Sequence, residues 1–163
     1  GGLFNSRINL NLREDKGWTY GARSTLSLRR TAGPLTMRAA VETAVTADAV
    51  GELLGETLGL REAPPSEAEM ETAAGALTRS LPLRFERNGQ IAGSLADQVV
   101  YGLPDDYWTS FPGVIESVSR SDVHDIAARL LEPAVLTILV VGDKDAVRTE
   151  LEALGPVTLM DAP

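Results

Sequence analysis

The 163-residue chain contains no cysteine and one histidine, His124, and only 5% of its residues are aromatic. Without cysteine there is no disulfide framework, no thiolate metal cage and no cysteine nucleophile. Zinc hydrolases hold their metal with several ligands at a helical spacing, but neither HExxH nor HxxEH occurs in the sequence. A GxSxG nucleophile elbow, a Walker loop and a GxGxxG fingerprint are absent as well. The chain by itself is therefore catalytically incomplete.

Positive charge is also scarce, since the chain has 15 basic and 23 acidic residues and the formal net charge is −8. This balance argues against nucleic acid as a partner. Residues 1–40 nevertheless hold seven basic and two acidic side chains, which indicates either ordinary scatter or a positive face on the first elements. Apolar runs are too short to span a bilayer, so we expect no transmembrane segment in this stretch.

Hydrophobic periodicity predicts an α+β fold with several helices packed against an antiparallel or mixed sheet. In chain order, the predicted elements are a helix over 3–16, strands within 18–29 and 35–42, helices over 46–61, 66–82, 90–102 and 121–131, a buried strand over 134–141, a helix over 144–154 and an extended piece over 157–160. Residues 103–106 are expected to open a loop that carries Tyr107, Trp108 and Phe111. No linker or repeat interrupts this order, so residues 1–163 are predicted to form a single domain.

The first helix and the hairpin that follows it each have one predicted apolar face. The helix stripe comprises Leu3, Phe4, Ile8 and Leu12, and Gly17 is expected to end the helix. Strict alternation places Trp18, Tyr20, Ala22, Leu26 and Leu28 on the core face of the hairpin. The opposite face then carries Arg23, Arg29 and Arg38.

One segment brings two hydrogen-bond donors close to a predicted turn. It reads LREDKGWTYG over residues 12–21, with Arg13 at the helix end and Tyr20 beyond the glycine. A guanidinium and a phenol aimed at one point suit a carbonyl or a developing oxyanion. Alternatively, Arg13 pairs with Glu14 or Asp15 and Tyr20 is a half-buried strand residue, and spacing alone favours this alternative.

The sequence of residues 4–21 closely resembles that of the C-terminal-type domain of the pitrilysin/insulysin family of zinc peptidases. The resemblance continues through SEAE at 66–69, SLPLRF at 80–85, YGLPDDY at 101–107 and LVVGD at 139–143. It implies that residues 1–163 are a pitrilysin-type half-domain without a zinc site, the inactive domain of that family. The family domain usually has more strands before its first helix, so the resemblance also implies an N-terminally incomplete domain whose sheet lacks its first strands.

The resemblance further implies a partner and a role for two residues. Family members close two similar domains, or two subunits, around an unfolded peptide, and one of them carries zinc and the HxxEH motif. The other contributes an Arg and a Tyr, which correspond to Arg13 and Tyr20. The Tyr would stabilise the tetrahedral intermediate and the Arg would hold the substrate backbone. The chain would then need no cofactor of its own, hydrolyse nothing alone, and become part of a metalloendopeptidase when it is paired with the zinc-bearing half.

Two further alternatives follow from the resemblance. The chain could instead be a non-catalytic structural or peptide-holding partner, although the retained Arg/Tyr spacing favours the catalytic role. Tyr20 shares its strand parity with core residues, so either Gly21 allows a bulge that re-aims it or Tyr20 lies at the mouth of the strand. For location, the resemblance favours the bacterial periplasm over the cytoplasm.

Overall fold

The computed structural model describes residues 1–160 of the chain. Its helices and strands are, in order, α1 (Arg7–Asn9), a π-helix (Leu10–Asp15), β1 (Thr19–Leu26), β2 (Leu35–Val41), α2 (Thr46–Glu62), α3 (Glu67–Ser80), α4 (Asn88–Tyr101), α5 (Tyr107–Ser117), α6 (Arg120–Leu130) and α7 (Lys144–Glu152). Short 3₁₀ turns cover Thr43–Val45, Leu81–Phe85 and Pro133–Val135. The predicted α+β class is confirmed, and the described sheet has two antiparallel strands.

Several helix ends follow from local sequence. The Ser66 hydroxyl accepts a hydrogen bond from the Glu69 amide (3.3 Å), and the Glu69 carboxylate accepts one from the Ser66 amide (2.7 Å), which together cap α3. This reciprocal arrangement satisfies two N–H groups that have no partner inside the helix. Gly17 follows the π-helix with φ of +66°, a conformation that favours glycine, so the predicted helix end is confirmed.

The aromatic segment at 107–111 was predicted to belong to a loop, and this prediction is wrong because it begins helix α5. The Trp108 ring lies edge-on to Tyr107, with centroids 4.8 Å apart, and to Phe85, with centroids 5.9 Å apart. The Trp108 indole also donates to the Ser94 carbonyl at 3.2 Å. These contacts with residues distant in the sequence stabilise a helix that the local sequence does not indicate.

The buried strand predicted over residues 134–141 is also absent. Residues 133–135 form a 3₁₀ turn, and residues 136–141 pair with no strand among residues 1–160. Leu139 is 77% exposed and Val141 is 91% exposed. The extended piece predicted at 157–160 is likewise unpaired within the part of the chain that the structure describes. β-branched composition suits a strand, but a strand also needs a neighbour for its backbone hydrogen bonds.

The described residues divide into two compact units. The first comprises residues 1–27, 33–59 and 131–160, and its buried core consists of Ile8, Leu12, Ala22 and Ala49. Residues 28–32 and 60–130 form the second unit, which contains the aromatic cluster around Trp108. No helix within residues 1–160 is long and apolar enough to cross a membrane.

Exposure on the hairpin differs from the predicted alternation at its far end. Leu26 and Leu28 are 60% and 76% exposed, and Phe4, which precedes α1, is 65% exposed, although all three were predicted to be buried. Arg29 lies beyond β1 in the connection between the strands, so it does not share a strand face with Arg23 and Arg38. The core of the first unit covers only the end of the hairpin near Ala22, and alternation cannot indicate where that cover stops.

Candidate functional site

The two candidate residues, Arg13 and Tyr20, flank the turn between the π-helix and β1. Backbone hydrogen bonds define this turn: the Lys16 amide donates to the Asn11 carbonyl (3.0 Å), and the Trp18 amide donates to the Leu12 carbonyl (2.9 Å). The first of these spans five residues, which is the π-helical spacing and is often found at functional sites. The chain therefore turns sharply after Arg13 and enters β1 just before Tyr20.

Arg13 lies on the π-helix and packs against Phe4. Its guanidinium carbon is 4.4 Å from the centroid of the Phe4 ring, and one nitrogen is 3.5 Å from the Glu14 carboxylate. The ion pair with Glu14 is one of the alternatives that the sequence left open. Because the Arg13 side chain remains 34% exposed, this pair is screened by solvent and contributes little. Phe4 thus makes a cation–π contact with Arg13 at the surface and is not part of the core.

Tyr20 lies at a β-bulge. Thr19 pairs with Val41 and Ala22 pairs with Ala39, so three steps along β1 correspond to two steps along β2. The extra residue removes Tyr20 from the core face, and its side chain is 100% exposed. Of the two arrangements that the sequence allowed, the bulge at Gly21 is the one observed. Within residues 1–160 the phenol has no hydrogen-bond partner.

Buried polar groups hold this bulge in place. The Asn9 side chain is 3% exposed; its oxygen accepts from the Ala22 amide (3.0 Å) and its nitrogen donates to the Phe4 carbonyl (2.6 Å). The Thr19 hydroxyl lies 3.1 Å from the Gly21 amide. Asn9 therefore links the segment that carries Phe4 to the strand that carries Tyr20. Sequence analysis missed this role, and the only available signal was a polar residue beside Ile8 in an amphipathic helix.

Replacing Asn9 by Ala should destabilise the first unit by about 1–3 kcal/mol, because the buried Ala22 amide would lose its acceptor. The measurement is urea unfolding followed by circular dichroism. The matched control is Asn5→Ala, since Asn5 is exposed and should tolerate the change with little loss. Equal stability of the two variants would contradict the structural role given to Asn9.

Charged and polar side chains fix the π-helix on α2. The Asn11 amide nitrogen donates to the carboxylates of Glu52 (2.8 Å) and Glu56 (2.9 Å), and the Lys16 ammonium lies 3.1 Å from Glu52. The hydrogen bond from Asn11, and after it the one from Lys16, lowers the pKa of the Glu52 carboxyl. The backbone around Arg13 is thus anchored on both sides, by Asn9 towards β1 and by Asn11 towards α2.

Metal-binding side chains do not cluster in the described chain. Residues 1–160 contain no group of three or more His, Asp or Glu side chains that could hold a metal ion. The single histidine, His124, has its Nδ1 atom 3.1 Å from the Leu60 carbonyl. Near the turn, the Arg13 guanidinium and the Tyr20 hydroxyl can both donate hydrogen bonds.

Comparison with known proteins agrees with the resemblance noted in residues 4–21. Residues 1–77 match the model of the family described as the peptidase M16 inactive domain. No curated protein matches the chain. This match confirms the resemblance to the pitrilysin-type inactive domain.

Two solved structures have a similar fold. One is a peptidase M16 inactive domain from Pseudomonas fluorescens, with a TM-score of 0.72, 22% identity, and coverage of 79% of this chain and 31% of that chain. The other is a conserved protein from Enterococcus faecalis V583, with a TM-score of 0.67, 18% identity, and coverage of 79% of this chain and 30% of that chain. At these identities the likeness shows the fold, and the chain spans less than a third of either solved chain.

Proposed function

Because residues 1–77 match the model of the peptidase M16 inactive-domain family, we propose that this chain is the zinc-free half of a two-domain metallopeptidase. Its role is to help bind an unfolded peptide and to complete the active site with Arg13 and Tyr20. The HxxEH motif and the zinc belong to a partner domain, in the same chain or in a separate subunit. In that partner the metal supplies the activated water.

The observation that carries the proposal is the exposure of Tyr20 on a firmly held backbone. The Tyr20 phenol is fully exposed and has no hydrogen-bond partner among residues 1–160, so its hydroxyl can donate to an incoming group. The bulge and the buried Asn9 fix the direction of the strand beneath it, so little reorganisation is needed when a substrate arrives. As the peptide carbonyl becomes tetrahedral, charge develops on its oxygen, and a hydrogen bond from Tyr20 is strongest at that point.

Arg13 suits a different task. Its position against Phe4 fixes the stem of the side chain and leaves guanidinium N–H groups available beside the same turn. These donors can bind backbone carbonyls of an extended peptide next to the scissile bond. Arg13 therefore binds the peptide equally well in the ground state and in the transition state, whereas Tyr20 acts mainly in the transition state.

One observation favours the alternative of a non-catalytic, peptide-holding or structural partner. Arg13 already contacts Phe4 and Glu14, which is how an arginine with a purely structural role would lie. The two hypotheses differ in what happens when the chain is combined with its zinc-bearing half.

Reconstitution with that half tests the proposal. The cleavage of an internally quenched peptide should require both components, and Arg13→Ala should raise KM by about tenfold through loss of a charge-assisted hydrogen bond. The matched control is Arg87→Ala, which removes an exposed arginine from another element and should leave KM unchanged. If Arg13→Ala and Arg87→Ala give the same kinetics as the unmodified chain, Arg13 does not hold substrate and the structural alternative gains support.

A further inference from the structure

Two arginines stand directly opposite each other on the exposed face of the hairpin. Arg23 of β1 pairs in register with Arg38 of β2, and both are exposed. Residues 17–41 contain four arginines and no aspartate or glutamate. Neither Arg23 nor Arg38 forms an ion pair or a side-chain hydrogen bond within the described part of the chain. The hairpin thus presents two uncompensated guanidinium groups at one register position.

Such a pair is unfavourable in isolation, because like charges directly opposite each other in a sheet repel. A carboxylate between the two groups would remove the repulsion and accept bidentate hydrogen bonds. The neighbouring cross-strand pair on this face, Thr25 and Thr36, offers no competing negative charge, and the Thr36 hydroxyl donates to the Thr25 carbonyl (3.3 Å). The place between Arg23 and Arg38 therefore suits an anion that comes from outside the hairpin.

The position of this pair relates it to Tyr20. Arg23 follows Tyr20 by three residues on β1. Because the bulge between Thr19 and Ala22 fits three steps of β1 into two steps of β2, Tyr20 and Arg23 are separated by about two regular strand steps. At about 3.3 Å per step, the two side chains leave the strand roughly 7 Å apart, which an extended peptide covers with about two residues. A peptide held at Tyr20 and running along β1 would thus bring another of its side chains close to the arginine pair.

We propose that Arg23 and Arg38 form a subsite for an acidic side chain of the peptide substrate, about two residues from the bond at Tyr20. The placement of this subsite relative to the scissile bond depends on the proposed function, whereas the preference for an acidic peptide does not. The sequence placed Arg29 in the same set, but Arg29 lies outside β1 and is not part of the subsite.

Peptide binding by the complete chain tests the charge preference. The probes are two fluorescein-labelled decapeptides, identical except that one carries two glutamates where the other carries glutamines. At low salt the glutamate peptide should bind about fivefold more tightly, and at high salt the ratio should approach one because ions screen exposed charges. Arg23→Gln combined with Arg38→Gln should abolish the ratio at low salt.

The control is the pair Arg87→Gln and Arg129→Gln, which removes the same charge from exposed positions on other elements. This control should keep the fivefold preference. The proposal is overturned if both double variants lose the preference to the same extent, since net charge would then explain it, or if the unmodified chain shows no preference.

Cleavage by the assembled enzyme separates this inference from the proposed function. When a single glutamate is moved along the peptide, kcat/KM should be highest with the glutamate about two residues from the cleaved bond, and only if Arg23 and Arg38 are present. Activity without any such dependence would overturn the subsite and leave the proposed function intact. A charge preference in binding, without cleavage by the assembly, would overturn the proposed function and leave the acidic subsite.

Discussion

Replacing Tyr20 by Phe should lower kcat by about 10²–10³-fold in the enzyme assembled with the proposed zinc-bearing half, while KM changes little. The change removes one oxygen from a side chain that is 100% exposed, so it creates no cavity and disturbs no hydrogen bond within residues 1–160. What is lost is a donor for the negative charge that develops on the peptide oxygen. Steady-state kinetics on a quenched peptide measure kcat and KM separately.

The control for Tyr20→Phe is Tyr107→Phe, which also removes a phenol hydroxyl. The Tyr107 ring lies edge-on to Trp108 and tilted against Phe111, and Phe keeps these ring contacts. Normal kcat is therefore expected for the control. If Tyr20→Phe also retains normal kcat, Tyr20 is not part of the catalytic machinery, and the peptide-holding alternative explains the chain better.

The largest loss of stability is expected for Leu12→Ala. Leu12 is 0% exposed and lies in the π-helix, where it packs with Ile8, Ala22 and Ala49. Truncation removes buried apolar surface and leaves a cavity, which together should lower the free energy of unfolding of the first unit by about 2–5 kcal/mol. Because the Leu12 carbonyl also accepts from the Trp18 amide, collapse around the cavity would disturb the turn that carries the candidate site.

Urea unfolding measures this loss most directly through Trp18, which packs against the same core. The chain has two tryptophans, so the comparison is made in a Trp108→Phe background where Trp18 is the only indole. The neighbouring Leu10 is 46% exposed, and Leu10→Ala should cost much less. Similar midpoints for Leu12→Ala and Leu10→Ala would show that Leu12 is not central to the core.

Local sequence was enough wherever a feature depends on near neighbours in the chain. The capping box at Ser66 and the helix end at Gly17 each involve residues within one turn, and both predictions are confirmed. The α+β class follows from periodicity, and the LREDKGWTYG segment led to the family that the match over residues 1–77 supports. The roles of Arg13 and Tyr20 stay predictions until the variants are measured.

Only the tertiary structure decided which way Tyr20 points, because the answer depends on a partner elsewhere in the chain. Alternation placed the side chain on the core face, but Asn9 accepts a hydrogen bond from the Ala22 amide and an extra residue enters β1 before that position. The strand predicted at 134–141 fails for a related reason, since a ladder requires a second strand that residues 1–160 do not supply. The sequence determines the hydrophobic periodicity of each segment. The exposure of a side chain and the pairing of a strand depend instead on contacts with segments that are distant in the sequence.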